Sequence, residues 1–175
     1  METRTYNVFK YKELPPEIQE KAVEKLYDIN LHYEWWDCEY EDAKRVGLKL
    51  DGFDLDRNRH CTGDFIDSAE ETAEMIVKEH GKDCDSRQTA VNYLADRAKL
   101  VKQYSDGKTL DIVTEDNEYD FDNDCDDLDA EFLRSILEDY SIILQQQYEY
   151  LASAEAIIET IEANDYDFTK DGCIG

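Results

Sequence analysis

The chain has 175 residues, 41% of them hydrophobic, with 44 acidic side chains against 19 basic ones and a formal net charge of -25. That length and apolar share suit one domain with its own core and exclude a disordered acidic tail. The charge excludes a direct hold on nucleic acid or on an anionic bilayer, since both would repel it.

The charge is unevenly placed. Residues 1–104 hold 23 acidic and 16 basic side chains, whereas residues 105–175 hold 21 and 3. An ordinary scaffold over 1–104 followed by a strongly acidic portion over 105–175 is the expected organisation of a single domain spanning 1–175. Cys38, Cys61, Cys84, Cys125 and Cys173 form no C-x-x-C pair. With no signal sequence ahead of them, reduced thiols in a cytoplasm are the expectation. No apolar run approaches the ~18 residues that a membrane span requires.

In chain order, Thr3 to Tyr11 is rich in β-branched and aromatic residues and reads as a strand. Leu14-Pro15-Pro16 opens a helix striped with Ile18, Ala22, Val23 and Leu26. A second helix is expected from about Tyr33 to Val46, with Trp36, Tyr40 and Ala43 inward, Trp35 either packed beneath the sheet or partly exposed, and Gly47 as the stop. Leu48 to Asp56 and His60 to Ile66 alternate and pair as strands around the Arg57-Asn58-Arg59 turn. Ser68 with Glu71 makes a capping box for a helix ending at Gly81, and Ser86 is expected to cap the next.

The stretch from Glu115 to Glu131 follows, with nearly every second residue a carboxylate and no lysine or arginine. It reads as a loop leading into a long helix over about Leu128 to Leu151. Ser153 caps a shorter helix stopped by Asn164, and Tyr166 to Thr169 closes as a strand. Helices packed on a small, mostly antiparallel sheet make an α+β fold. The charged outer faces of the last two helices (Glu138, Asp139, Glu149, Glu155, Glu159, Glu162) extend the acidic field.

Three chemistries compete for these residues. Asp120, Asp122, Asp124, Asp126 and Glu131 fall on positions 1, 3, 5, 7 and 12 of an EF-hand loop, which makes a calcium-regulated interaction module the alternative reading. Cys125 stands where that loop needs glycine and Asp127 where an aliphatic residue is usual. An enzyme built on Asp54, Asp56 and His60 lacks the companion motifs such chemistry needs, and outward aspartates on a strand explain the first two. Neither a cofactor motif nor a phosphate-cradling glycine loop is present among the 7 glycines.

The third reading is an acidic decoy. Duplex DNA carries one negative charge per ~1.7 Å of axis, and its binders match it with rows of lysine and arginine. Alternate aspartates in an extended loop stand about 6–7 Å apart, and acidic helix faces place neighbours roughly 5–6 Å apart. The expected partner-binding residues are Asp116, Glu118, Asp120, Asp122, Asp124, Asp126, Asp127, Asp129 and Glu131. Tyr119 and Phe121 stand among them, either as anchors for a partner or as pins to the protein's own surface.

Glu34-Trp35-Trp36, Glu41-Asp42-Ala43, Gly52-Phe53-Asp54-Leu55-Asp56-Arg57 and Glu159-Thr160-Ile161-Glu162-Ala163-Asn164 resemble a family of small, acidic, mostly uncharacterised proteins of tailed phages and prophages. The resemblance spans most of the chain and implies a context: a non-enzymatic inhibitor of host defence, of anti-restriction or anti-CRISPR type, acting in the host bacterial cytoplasm. Its partner would be a basic, nucleic-acid-binding defence protein, with no direct nucleic-acid or membrane contact and either a monomeric or a homodimeric state.

Overall fold

The computed structural model describes residues 7–104 and 118–175. In chain order its elements are β1 (Phe9–Lys10), α1 (Pro16–Lys25), α2 (Asp37–Arg45), β2 (Leu48–Asp54), β3 (His60–Phe65), α3 (Ala69–Glu79), α4 (Asp85–Tyr104), α5 (Glu118–Leu151), α6 (Ala154–Ala163) and β4 (Asp167–Phe168). The fold is α+β and rich in helix. Among the described residues its strands form two separate antiparallel pairs, β1 with β4 and β2 with β3, where the sequence suggests one small sheet. By packing, the described residues form two compact units, one drawn from residues 7–36 and 145–175, the other from residues 37–104 and 118–144.

In the first unit, β1 and β4 pair Phe9 with Phe168 and Lys10 with Asp167. The expected strand from Thr3 is only two residues long within the described part, because a single 3-10 turn over Tyr11–Glu13 follows it. Residues 3–6 lie outside the described residues. Tyr11, Leu14, Ala22, Ile157, Ile161 and Phe168 form the core. The stripes of α1 and α6 supply half of these residues, Ala22 from α1 and Ile157 and Ile161 from α6. Ser153 caps α6 by accepting a hydrogen bond from the Ala156 amide at 3.2 Å.

Asn30, 6% exposed, is satisfied from two sides. Its amide donates to the Leu151 carbonyl at 3.0 Å and its oxygen accepts from the Thr160 hydroxyl at 2.7 Å. Of the two tryptophans, Trp35 is buried against Tyr148, with ring centroids 5.9 Å apart, and Trp36, expected inward, is half-buried. Both precede α2, which starts at Asp37 rather than Tyr33. Helical phase therefore says nothing about them.

In the second unit, Leu48, Leu50 and Cys61 carry the β2–β3 hairpin inward. Gly47, at φ +89, ends the α2 segment where an L-residue would be strained, and Thr72 donates its hydroxyl to the Gly47 carbonyl at 3.1 Å. Gly63 lies under α5: a Cβ there would collide with the Lys49 carbonyl and come within 3.2 Å of Leu137. Ser68 caps α3 by accepting from the Glu71 amide at 3.2 Å, as the capping box predicts. Ser86 does not cap α4. The helix starts one residue earlier, and Ser86 is buried in its first turn.

Phe132 of α5 sits in a stack of three rings, 4.3 Å from Tyr93 of α4 and 5.7 Å from Phe65 of β3. A partly buried set of polar contacts joins four helices of this unit. His80, at the end of α3, meets Ser86 Oγ through Nδ1 at 2.8 Å and Asp42 Oδ2 through Nε2 at 3.2 Å. The same Asp42 oxygen accepts the Tyr140 hydroxyl at 2.9 Å. Burial foremost, and Asp42 beside it, push the Tyr140 phenol up.

Candidate interaction site on the long helix

The acidic stretch departs furthest from the loop that its composition suggests. Its described part, from Glu118 onward, is not a loop: α5 begins there and continues unbroken to Leu151. The physical reason lies in the residues between the carboxylates. Phe121, Cys125, Leu128 and Phe132 recur at intervals of four, three and four, which is one helical stripe. Carboxylates are also favoured in the first turns of a helix, where the unpaired amides leave partial positive charge. Asp116 lies outside the described residues, and Glu118 and Tyr119 open the helix.

The helix sorts the remaining carboxylates into two rows, one on each side of the inward stripe. Asp120, Asp124, Asp127 and Glu131 make one row, and Asp122, Asp126 and Asp129 the other. Seven carboxylates over about 16 Å of helix give one per roughly 2.4 Å, from the ordinary rise per residue. That density approaches the ~1.7 Å of duplex DNA. It is reached by two helical rows, in place of the extended alternation that the sequence suggests.

Not every predicted site residue is available to a partner. Asp129 is half-buried and accepts from the Tyr93 hydroxyl at 2.6 Å and from Arg97 at 3.3 Å, while Arg97 also holds Glu70 at 3.0 Å. Burial foremost, then this hydrogen bond, pushes the Tyr93 phenol up. Asp124 accepts from the Tyr104 hydroxyl at 2.5 Å, and that bond, ahead of other causes, pushes the phenol up to about 12. Phe121 is half-buried edge-on to Tyr104, at 5.5 Å between centroids, so it pins α5 to α4. Asp120, Asp122, Asp126, Asp127 and Glu131 are exposed, and among the described residues no ion pair reaches them.

The acidic row that faces α4 borders a groove. Two clefts, of about 210 Å³ and about 380 Å³, meet at Asp96, Leu128 and Glu131. The first runs past Asn92, Tyr93 and Phe132, the second past Lys99, Leu100, Asp124 and Asp127. The acids expected to extend the field are partly spent: Glu138 pairs with Arg59, Glu162 with Lys12 at 2.9 Å, and Asp139 accepts from Thr89 at 2.7 Å.

The other sequence candidates take structural parts. Asp54 accepts from the Asp56 amide at 2.8 Å, and His60 Nδ1 lies 2.8 Å from the Asn58 carbonyl, so these residues shape the hairpin turn. In the EF-hand pattern, Asp120 and Asp124 lie on one side of α5 and Asp122 and Asp126 on the other, so the helix separates side chains that a calcium loop must bring together. No group of three or more metal-ligating side chains is present among the described residues.

The grouping of Ser86, His80 and Asp42 has no signal in the sequence, because Asp42 is far from the other two in the chain. It has the residue types of a hydrolase triad, but Ser86 is 3% exposed and bonded to Nδ1, so it joins helices and presents no nucleophile. Among the described residues no helix is long and apolar enough to cross a membrane. No family model, curated protein or solved structure matches the chain.

Proposed function

We propose that the protein is an acidic inhibitor that imitates nucleic acid and occupies the nucleic-acid-binding surface of a host defence complex of CRISPR or restriction type. The observation that carries this reading is the set of exposed carboxylates on α5, Asp120, Asp122, Asp126, Asp127 and Glu131, which no ion pair reaches among the described residues. A folded chain under strong self-repulsion gains nothing internally from holding them so close. A rigid helix presents them with no ordering cost at the moment of binding, and their field speeds encounter with a positive groove.

The test is competition. Fluorescence anisotropy would follow labelled duplex DNA on a restriction endonuclease or a CRISPR effector complex as the protein is added. The parent should displace the DNA, more weakly as salt rises. A variant carrying Asp120→Asn, Asp122→Asn, Asp126→Asn and Asp127→Asn should fail at every salt concentration while keeping its circular dichroism spectrum. Displacement by that variant equal to the parent's would overturn the reading.

A further inference from the structure

We infer that the groove between α4 and α5 receives a basic amphipathic helix of the partner, with an apolar side chain on its floor and lysine or arginine along its acidic rim. This rests on the proposed function and adds to it: the partner is gripped by shape as well as by charge. The two clefts have one continuous lining, since Asp96, Leu128 and Glu131 belong to both. Together they have the room of an ordinary ligand site.

The rim is chemically one-sided. Asp124, Asp127 and Glu131 stand along it, and its cation, Lys99, is already held by Asp96 at 2.6 Å. The floor is different, because Leu100 and Leu128 are half-buried there and keep apolar surface open to the groove. A decoy that worked by charge alone would have no use for such a floor. Apolar surface flanked by carboxylates, in a trench between two helices, is the complement of a helix whose apolar stripe is bordered by basic residues. A bare cation fits less well, since the carboxylates follow one helical row and do not converge. An anionic ligand would meet the rim's repulsion.

The two contributions differ in their response to salt, which makes them separable. Rim pairing is screened as ionic strength rises, and burial on the floor is not. Asn92 and Gln103 line the two clefts from exposed positions on α4 and carry no charge. Asn92→Phe and Gln103→Trp therefore fill the groove without altering the acidic rows.

The probes are two synthetic peptides of identical leucine, lysine and arginine content, one ordered as an amphipathic helix and the other scrambled to remove its apolar face. Titration calorimetry on the full chain should give the parent roughly tenfold tighter binding of the ordered peptide, a preference that persists in moderate salt. Each filled variant should lose that preference and bind both peptides at the level of the scrambled one. Equal binding of both peptides by the parent would overturn the groove while leaving the charge-based function standing. So would an undiminished preference in both filled variants. Failure of the parent to bind either peptide, even at low salt, would overturn the groove and the acidic decoy together.

Discussion

The two halves of α5 share one inward stripe and treat their charges in opposite ways. From Phe132 to Leu144 the acids are Glu138 and Asp139, and both are engaged, Glu138 by Arg59 and Asp139 by the Thr89 hydroxyl. From Asp120 to Glu131 there are seven carboxylates, of which, among the described residues, Asp129 is held by Arg97 and the Tyr93 hydroxyl and Asp124 by the Tyr104 hydroxyl. Along one helix, then, Glu138 and Asp139 are tied into their unit, whereas Asp120, Asp122, Asp126, Asp127 and Glu131 are exposed with no ion pair among the described residues, and these five are the carboxylates on which the proposed function rests.

Removing the shared stripe should have the largest effect. Phe132→Ala takes out the central ring between Phe65 and Tyr93 and should cost about 3–5 kcal/mol, read from urea unfolding. A loss well below that would mean that the rings do not anchor the acidic half of the helix. Next comes the contrast between engaged and unengaged charges. Arg97→Ala frees both Asp129 and Glu70 and should cost on the order of 1–2 kcal/mol, whereas Asp122→Asn should stay within about 0.5 kcal/mol of the parent or stabilise it. Equal losses from the two would erase the distinction between engaged and unengaged carboxylates.

The smallest effect has the opposite sign. Burial, foremost, and the nearby Asp85 and Glu138 raise the Asp139 carboxyl above its ordinary value, partly offset by the Thr89 hydrogen bond. Its charged form is therefore disfavoured in the folded chain. The stability it contributes is fully present below the unfolded value and is lost as pH rises through the folded one. Asp139→Asn, with Thr89 still able to donate, should raise the melting temperature at neutral pH. The gain should shrink to nothing once the pH falls below the ordinary aspartate range. A gain that does not change with pH would assign the effect to packing.

Much of this was legible where the signal is local. Pro16 at the start of α1, Gly47 after α2, the Ser68 and Glu71 pair and the Ser153 cap each report on their own few residues, and the structure has them in those roles. The start of α5 was not legible, because the density of aspartate obscured Phe121, Cys125 and Leu128 as a helical stripe. Helical phase puts Trp36 inward, yet both tryptophans precede α2, so the half-burial of Trp36 lies outside what that phase can report. The contacts among Asp42, His80, Ser86 and Tyr140, and the tie from Arg97 to both Glu70 and Asp129, are tertiary, and no spacing along the chain encodes them. The acidic character of the site was visible in composition alone. Its division into two rows needed the helix.

Cys125 sits on the inner side of the acidic turns, 8% exposed, with burial as the main cause holding its thiol above the ordinary range. Cys38, Cys84 and Cys173 are open to solvent. Brief alkylation followed by peptide mass mapping should mark those three quickly and Cys125 slowly, since only the thiolate attacks and the stripe shields it. Its labelling rate then serves as a clock for how often the opening turns of α5 lift from their bed, and a bound partner that clamps them would slow that clock further.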